Sequence, residues 1–270
     1  MELIKYVILG IIQGLTEPLP ISSSGHLLIF RELFNTNMFN DLNFEVMVNF
    51  GSFIAILIIF WKDIVRLVTS FFKYLFADKK EKKKYYEDFK YCMLIVVGSI
   101  PVGIIGLIFK DKIEAIASVK EVGFALLITA LALFIVKNSK SKKKDNEITY
   151  KDAIIIGLFQ MCALLPGLSR SGMVLVGCLL CGLNRESSLK YTFMLYFPVS
   201  VASFGLSSID VLNSGIASNL LLSYFLGMVA AGIVTYFTYQ WLSKIVQNGK
   251  LWKFSIYCVV VALFIFIYFR

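Results

Sequence analysis

The sequence predicts an all-α polytopic membrane protein organised as an inverted repeat, in which each half contains one re-entrant helix hairpin and three transmembrane helices. Three observations lead to this fold class: the composition, a set of apolar segments and an internal repeat. Hydrophobic residues make up 58% of the 270 positions and charged residues 17%, whereas soluble domains have about 45–50% apolar and about 25% charged residues. A chain of this composition is expected to lie in a membrane.

Six apolar segments of 16 to 23 residues are long enough to cross a hydrocarbon layer about 30 Å thick. They are 44–61, 91–109, 122–137, 191–208, 219–241 and 254–270. The connection 62–90 carries nine Lys and Arg residues, and 137–151 carries six lysines. Because basic loops stay on the cytoplasmic side, these connections are expected inside, and 110–121 and 209–218 outside. The net charge of +9 therefore reflects membrane topology, and nucleic acid is not an expected partner.

Two further apolar regions, 3–34 and 152–184, are interrupted midway by Pro, Ser and Gly. Their limbs of about 12 to 15 residues are too short to cross the membrane. We therefore expect two re-entrant helix–turn–helix hairpins. The broken backbone of each must be shielded by protein or must line a wet cavity.

A shift of 147 residues aligns the two hairpins with one another. The identical pairs are Gly10 and Gly157, Gln13 and Gln160, Ser22 and Ser169, Ser24 and Ser171, and Gly25 and Gly172. Each half, approximately 1–137 and 148–270, has three spans, and an odd number of spans inverts the second half relative to the first. We therefore expect a single membrane domain, 1–270, in which the two polar tips meet near the midplane.

Both tips place serines and a glycine just before an apolar helical limb. Serines at a helix start act as caps, and the unpaired N–H groups there favour an anion. Arg170 in the second tip adds a forked donor that matches a phosphate, and an arginine deep in a membrane bundle is usually functional. The tips therefore form a candidate phosphate cradle; the alternative is that the serines only cap the short limbs.

Glu17 and His26, the only histidine in the chain, are the other ionisable residues of the tips. Glu17 could bind a divalent cation through its carboxylate or act as a general base. Ser23 or a neighbouring serine could attack phosphorus with His26 as proton acceptor, or could only donate hydrogen bonds. The residues alone leave these alternatives open.

Three motifs resemble those of the bacitracin-resistance type undecaprenyl-diphosphatase family (BacA/UppP). They are Gln-x-x-x-Glu at 13–17, Pro-x-Ser-Ser-Ser-Gly-His at 20–26 and Pro-Gly-x-Ser-Arg-Ser at 166–171. The resemblance covers essentially the whole chain and implies an integral membrane enzyme that hydrolyses undecaprenyl diphosphate to undecaprenyl phosphate and inorganic phosphate. Such an enzyme recycles the cell-wall lipid carrier and gives resistance to bacitracin. The resemblance also implies a multi-pass protein of the bacterial plasma membrane whose active site opens toward the outer face.

The resemblance also assigns roles to individual residues. By match, Gln13, Glu17, Ser23, His26, Ser169 and Arg170 inherit the roles of the family's site, with Glu17, Ser23, His26 and Arg170 as the expected catalytic residues. We expect Gln13 and the tip residues Ser22, Ser24, Gly167, Ser169 and Ser171 to bind the substrate. A divalent cation, Mg²⁺ or Ca²⁺, is the implied cofactor, with Glu17 as its ligand, because Gln13 leaves Glu17 as the sole carboxylate of its motif.

The main alternative is a prenyl-phosphate flippase or transporter without hydrolysis, because inverted repeats with apposed hairpins suit alternating access. Another class of membrane lipid phosphatase shares the Ser-Gly-His of 24–26 but uses a second histidine, which this sequence does not contain. The expected partners are a polyprenyl diphosphate lipid and membrane lipids. The sequence leaves open whether the chain forms a homo-oligomer.

Overall fold

The computed structural model describes residues 2–34, 42–115, 118–214 and 220–269. This part of the chain is helical, with a 3₁₀ turn at Asp145–Glu147 and a single isolated β-bridge. Its α-helices are α1 (Glu2–Thr16), α2 (Ser23–Phe34), α3 (Leu42–Ile59), α4 (Trp61–Phe76), α5 (Lys79–Ala115), α6 (Val119–Val136), α7 (Tyr150–Cys162), α8 (Arg170–Leu180), α9 (Arg185–Ser214), α10 (Leu221–Gln247) and α11 (Trp252–Tyr268).

Several of these helices are long and apolar enough to cross a membrane. Within the described residues they are the Lys79–Phe109 part of α5, α6 and α10, and the bent pair of α3 and α4 could form a fourth span. The predicted spans 191–208 and 254–270 lie in α9 and α11, which do not meet the same criterion; α11 has 17 residues. The all-helical fold and these apolar helices are consistent with a polytopic membrane protein.

The connection 62–90, expected as a basic loop on the cytoplasmic side, is largely helical. α4 occupies its first half, meets α3 at an angle of 76°, and is followed at Lys79 by α5. α4 buries Leu67 and Ser70 and exposes Val68 and Phe72. A strongly amphipathic helix of this kind suits a membrane surface, where its apolar side enters the lipid. The number of charges predicts a loop here, whereas the spacing of the apolar residues in α4 fits an amphipathic helix.

Both predicted helix–turn–helix hairpins are present. α1 and α2 form the first and α7 and α8 the second, with limbs of 11 to 15 residues. The backbone leaves the helical path around the prolines, and Ser22 and Gly167 adopt positive φ angles of 69° and 88°. Such left-handed conformations are uncommon for residues other than glycine. The conformation of Ser22 must therefore be stabilised by the packing around the turn.

Close helix crossings hold the first limb of each hairpin. α1 packs against α10 where Gly10 lies on the backbone of Gly227, and α7 packs against α5 where Gly157 lies on Gly98. A Cβ atom added to Gly157 would lie 2.5 Å from the Gly98 carbonyl oxygen, and one added to Gly10 would overlap the Gly227 carbonyl. Small residues at such crossings let two helix backbones approach closely.

The tips of the two hairpins touch each other. Ser171 Oγ donates a hydrogen bond to the Leu19 carbonyl at 3.0 Å, and a Cβ atom on Gly172 would lie 3.1 Å from Pro20. Segments about 150 residues apart in the chain therefore form one polar junction. α6 supports this junction from the side, since it contacts both α2 and α8.

Candidate active site

A cavity of about 270 Å³ lies between the two tips. The tips contribute Gln13, Glu17, Ser22, Ser23, Ser24, Ser169, Arg170 and Ser171 to its walls. Further polar side chains come from the neighbouring helices: Glu45, Asn49, Gln160, Thr192, Tyr196, Ser200 and Ser203. Because a water molecule occupies about 30 Å³ in the liquid, the cavity has room for a phosphate-sized group. Most of the predicted site residues therefore face one chamber.

An ion pair joins the two tips across this cavity. Arg170 Nη2 lies 3.2 Å from Glu17 Oε1, and the Glu17 side chain is only 7% exposed. The guanidinium also lies over the Tyr196 ring, 4.8 Å from its centroid. Arg170 is the first residue of α8, whose first turn contains no acidic residue. Because a helix N-terminus is itself positive, this end of the cavity favours an anion.

The Glu17 carboxylate is also bound by its own hairpin. Ser23 Oγ donates to Oε2 at 2.5 Å, and Gln13 Nε2 donates to the same oxygen at 3.0 Å. Gln13 Nε2 makes a second hydrogen bond to Asn49 Oδ1 at 2.5 Å. The short distance between Ser23 and Glu17 is typical of a hydroxyl bound to an ionised carboxylate. A carboxylate in this position can also accept the proton of the serine hydroxyl.

His26 lies outside the cavity. The residue is 4% exposed, with Nδ1 2.8 Å from the Ser22 carbonyl oxygen and Nε2 2.8 Å from the Tyr257 hydroxyl. A carbonyl can only accept, so Nδ1 carries a proton, and in the neutral imidazole Nε2 accepts from Tyr257. Both ring nitrogens are therefore engaged in this arrangement. The contact with the Ser22 carbonyl supports the strained turn that presents Ser23.

The predicted substrate-binding residues of the tips differ in their surroundings. Ser22 Oγ accepts from the Gly25 N–H at 3.3 Å, and Ser169 Oγ accepts from the Gly172 N–H at 3.1 Å. Both serines therefore cap short limbs, as the simpler interpretation of the tips expects, and both also line the cavity.

Three other tip residues complete this comparison. Ser24 is exposed and lines the cavity, and Ser171 lines it while bonded to the first tip. Gly167 is not among the lining residues; it is buried where a Cβ atom would lie 2.6 Å from Val122 Cα. Gly167 therefore shapes the turn through its packing on α6.

The cavity offers oxygen atoms that fit a divalent cation bound together with a phosphate. Among the described residues no group of three His, Cys, Asp or Glu side chains could hold a metal. Glu17 and Glu45 nevertheless line the same cavity, and the buried Gln13 Oε1 has no hydrogen-bond partner in the described chain. Mg²⁺ is commonly bound by one or two carboxylates, with substrate phosphates and water completing its shell. The carboxylate and amide oxygens of this cavity fit a cation that is shared with a bound phosphate, and not a metal site formed by protein ligands alone.

Some cavity residues have no place in the motifs that predict the site. Tyr196 stacks on Arg170, but nothing in the sequence distinguishes it from the other aromatic residues of the same apolar helix. Asn49, an amide in the apolar segment 44–61, carried a usable signal, because polar groups inside membrane helices are costly and usually functional. Glu45 carried the same signal near the start of that segment.

A polar cavity with an ion pair and several hydroxyl groups thus lies between two broken-helix tips inside a bundle of apolar helices. These features define an all-helical membrane protein with a site suited to an anionic ligand. The sequence identifies the family: residues 6–264 match the model described as bacitracin resistance protein BacA, and the chain belongs to that family.

The chain is also similar to proteins of several bacteria that are named undecaprenyl-diphosphatase. It is 41% identical to undecaprenyl-diphosphatase 1 of Bacillus cereus over 266 residues, which cover 98% of this chain and 97% of the relative. Identity to undecaprenyl-diphosphatase 1 of Bacillus licheniformis is 41%, covering 99% and 98% of the two chains. For undecaprenyl-diphosphatase of Oceanobacillus iheyensis it is 40%, covering 98% and 96%.

Proposed function

We propose that the chain is an integral membrane phosphatase that hydrolyses undecaprenyl diphosphate to undecaprenyl phosphate and inorganic phosphate. The full-length similarity to proteins named undecaprenyl-diphosphatase supports the substrate and the reaction. The observation that carries the mechanism is the contact between the tips, in which one carboxylate binds both Arg170 and Ser23. The reaction returns a lipid carrier for cell-wall synthesis and lowers the amount of diphosphate lipid that bacitracin can bind.

Arg170 and the start of α8 bind the terminal phosphate in this proposal. The guanidinium provides a forked donor for two phosphate oxygens, and the helix N-terminus adds positive potential. In the described structure one of these donors, Nη2 of Arg170, is bonded to the Glu17 carboxylate. Tyr196, stacked on the guanidinium, restricts its orientation as the phosphate replaces one carboxylate contact.

Ser23 Oγ attacks the terminal phosphorus while its proton passes to Glu17. The bond from this phosphorus to the bridging oxygen breaks, its electron pair leaves with undecaprenyl phosphate, and Glu17 protonates that leaving group. Water then attacks the phosphoserine, giving one proton to Glu17, which returns it to Ser23 Oγ as inorganic phosphate is released. Arg170 stabilises the negative charge of both transition states.

The other predicted residues assist this chemistry. His26 acts as a positioning residue, since its bond to the Ser22 carbonyl holds the turn before Ser23. A divalent cation would be held by Glu17 and Gln13 Oε1 and would neutralise charge on the diphosphate. The serines of both tips supply further donors to phosphate oxygens.

We also propose that the halves 1–137 and 148–270 form an inverted repeat within one domain of the bacterial plasma membrane. The matching glycine crossings support it, because Gly10 and Gly157 are 147 residues apart and each packs on a glycine of another helix.

The cavity is proposed to open toward the outer face. Lys190, near the start of α9, pairs with Asp145 of the basic connection 137–151 at 3.2 Å. The cavity is lined by α9 from Thr192 to Phe204, and Phe204 is about 21 Å from Lys190 at 1.5 Å per residue. The cavity therefore begins near the lysine-rich connection and extends away from it along α9, which supports an opening toward the opposite face.

Phosphate release by the purified protein in detergent tests the proposed activity. The wild-type chain is expected to release inorganic phosphate from undecaprenyl diphosphate, and Arg170→Ala to lose at least 99% of the rate. Arg66→Ala is the matched control, because Arg66 lies on the exposed surface of α4 and is expected to keep the wild-type rate. A wild-type protein that moves intact lipid across vesicles without releasing phosphate would instead be a flippase.

A further inference from the structure

One wall of the cavity contains a buried amide that the proposed reaction does not use. Gln160 lies near the end of α7, is 1% exposed, and faces the same chamber as Glu17 and Arg170. Neither Nε2 nor Oε1 of its side chain has a hydrogen-bond partner in the described chain. Its backbone carbonyl accepts from the Ala163 N–H at 3.1 Å, so only the side chain is unpaired. Buried amides are almost always paired, and an unpaired one destabilises the fold.

Comparison with the first hairpin explains why this amide is unpaired. Gln13, which aligns with Gln160 at the shift of 147 residues, donates to Glu17 and Asn49. At the same shift the residue corresponding to Glu17 is Leu164, which lines the cavity as well. Tip two therefore supplies no carboxylate to Gln160. Its two N–H donors remain available in a chamber that already contains a guanidinium and several hydroxyl groups.

We infer that Gln160 binds the diphosphate of the substrate, with Nε2 donating a hydrogen bond to a phosphate oxygen. This inference rests on the proposed function for the identity of the ligand. The buried, unpaired donor supplies the physical reason: a bound phosphate would satisfy a group that is costly to leave unpaired. Gln160 would thus favour diphosphate binding at the expense of the stability of the ligand-free protein.

A Gln160→Met variant tests this role, because methionine keeps the approximate volume and removes both polar atoms. Gln247→Met is the matched control, since Gln247 is exposed at the end of α10, away from the cavity. We expect kcat/KM for undecaprenyl diphosphate to fall at least tenfold in Gln160→Met, mainly through a higher KM, and to stay unchanged in Gln247→Met.

Thermal unfolding supplies a readout that does not depend on turnover. Without ligand, Gln160→Met is expected to unfold at the same temperature as the wild type or at a higher one, because the unpaired amide is gone. Inorganic pyrophosphate is expected to raise the unfolding temperature of the wild type and to raise that of Gln160→Met less.

Two outcomes overturn the inference. The first is a Gln160→Met variant with wild-type kcat/KM and a wild-type response to pyrophosphate. The second is a reduced kcat/KM accompanied by a lower unfolding temperature without ligand, which would show that Gln160 acts through packing. If the wild type releases no phosphate, the proposed function fails, whereas a smaller pyrophosphate response in Gln160→Met would still support anion binding by Gln160.

Discussion

The Glu17→Gln substitution keeps the shape of the side chain at the centre of the cavity and removes its charge. The carboxylate accepts hydrogen bonds from Arg170 at 3.2 Å, Ser23 at 2.5 Å and Gln13 at 3.0 Å. All three partners donate, and a glutamine has only one acceptor oxygen. Its NH₂ group must therefore face either Arg170 or the two donors of the first hairpin. The variant loses the base for Ser23 and at least one charge-assisted hydrogen bond.

These losses set the expected size of the effect. A general base contributes about 10²–10⁴ to the rate of an enzyme, and a hydrogen bond to a charged group contributes about 1.5–3 kcal/mol. We expect kcat for phosphate release to fall at least 100-fold. The KM should change much less than kcat, because Arg170 no longer shares its donors with a carboxylate at position 17, whereas the proposed cation loses one ligand.

Phosphate release from undecaprenyl diphosphate, measured over a range of substrate concentrations, separates kcat from KM. Glu81→Gln provides the control, because Glu81 is exposed near the start of α5 and carries the same chemical change. A Glu17→Gln enzyme with kcat within threefold of the wild type would refute the assignment of Glu17 as the base. A variant that binds normally and turns over slowly would agree with it.

Two further comparisons test the nucleophile and the packing of the second hairpin. Ser23→Ala should lower phosphate release at least 100-fold and Ser24→Ala less than tenfold, because only Ser23 is proposed to attack phosphorus; equal rates for the two variants would contradict this role. Gly157→Ala should destabilise the fold by about 1–3 kcal/mol, since its Cβ atom would lie 2.5 Å from the Gly98 carbonyl oxygen. Gly103→Ala is its control, with no atom within 4 Å of the added Cβ, and similar thermal unfolding of both variants would show that the crossing is not tight.

The broken hairpins could be predicted because local chemistry determines them. Prolines lack an N–H and restrict the residue before them, which favours a break between limbs at Pro18, Pro20 and Pro166. Pro101 and Pro198 lie inside α5 and α9, so a proline alone does not predict the break; it does so here together with the neighbouring serines and glycines. Serines and glycines then favour the start of the next limb. The same kind of argument identified Arg170, since a guanidinium among apolar helices requires a partner. Its contact with Glu17 follows once the two tips meet.

The walls of the cavity could not be predicted in this way, because they depend on which helices pack together. Tyr196 approaches the tips from α9 and is marked by no local motif, and the polarity of Asn49 in α3 does not indicate which tip it meets. The same limit applies to α4, where the number of lysines that follow obscured an amphipathic helical pattern.

His26 shows why proximity in sequence does not establish a catalytic role. It lies three residues after Ser23, which favours a direct proton transfer between the two side chains when only the sequence is considered. In the fold, the Ser22 carbonyl and the hydroxyl of Tyr257 hold its two ring nitrogens, and the imidazole stacks on the Tyr257 ring at a centroid distance of 5.6 Å. Tyr257 lies on α11, 231 residues away in the chain. The carboxylate of Glu17, not the imidazole, therefore occupies the position from which a base can reach the Ser23 hydroxyl.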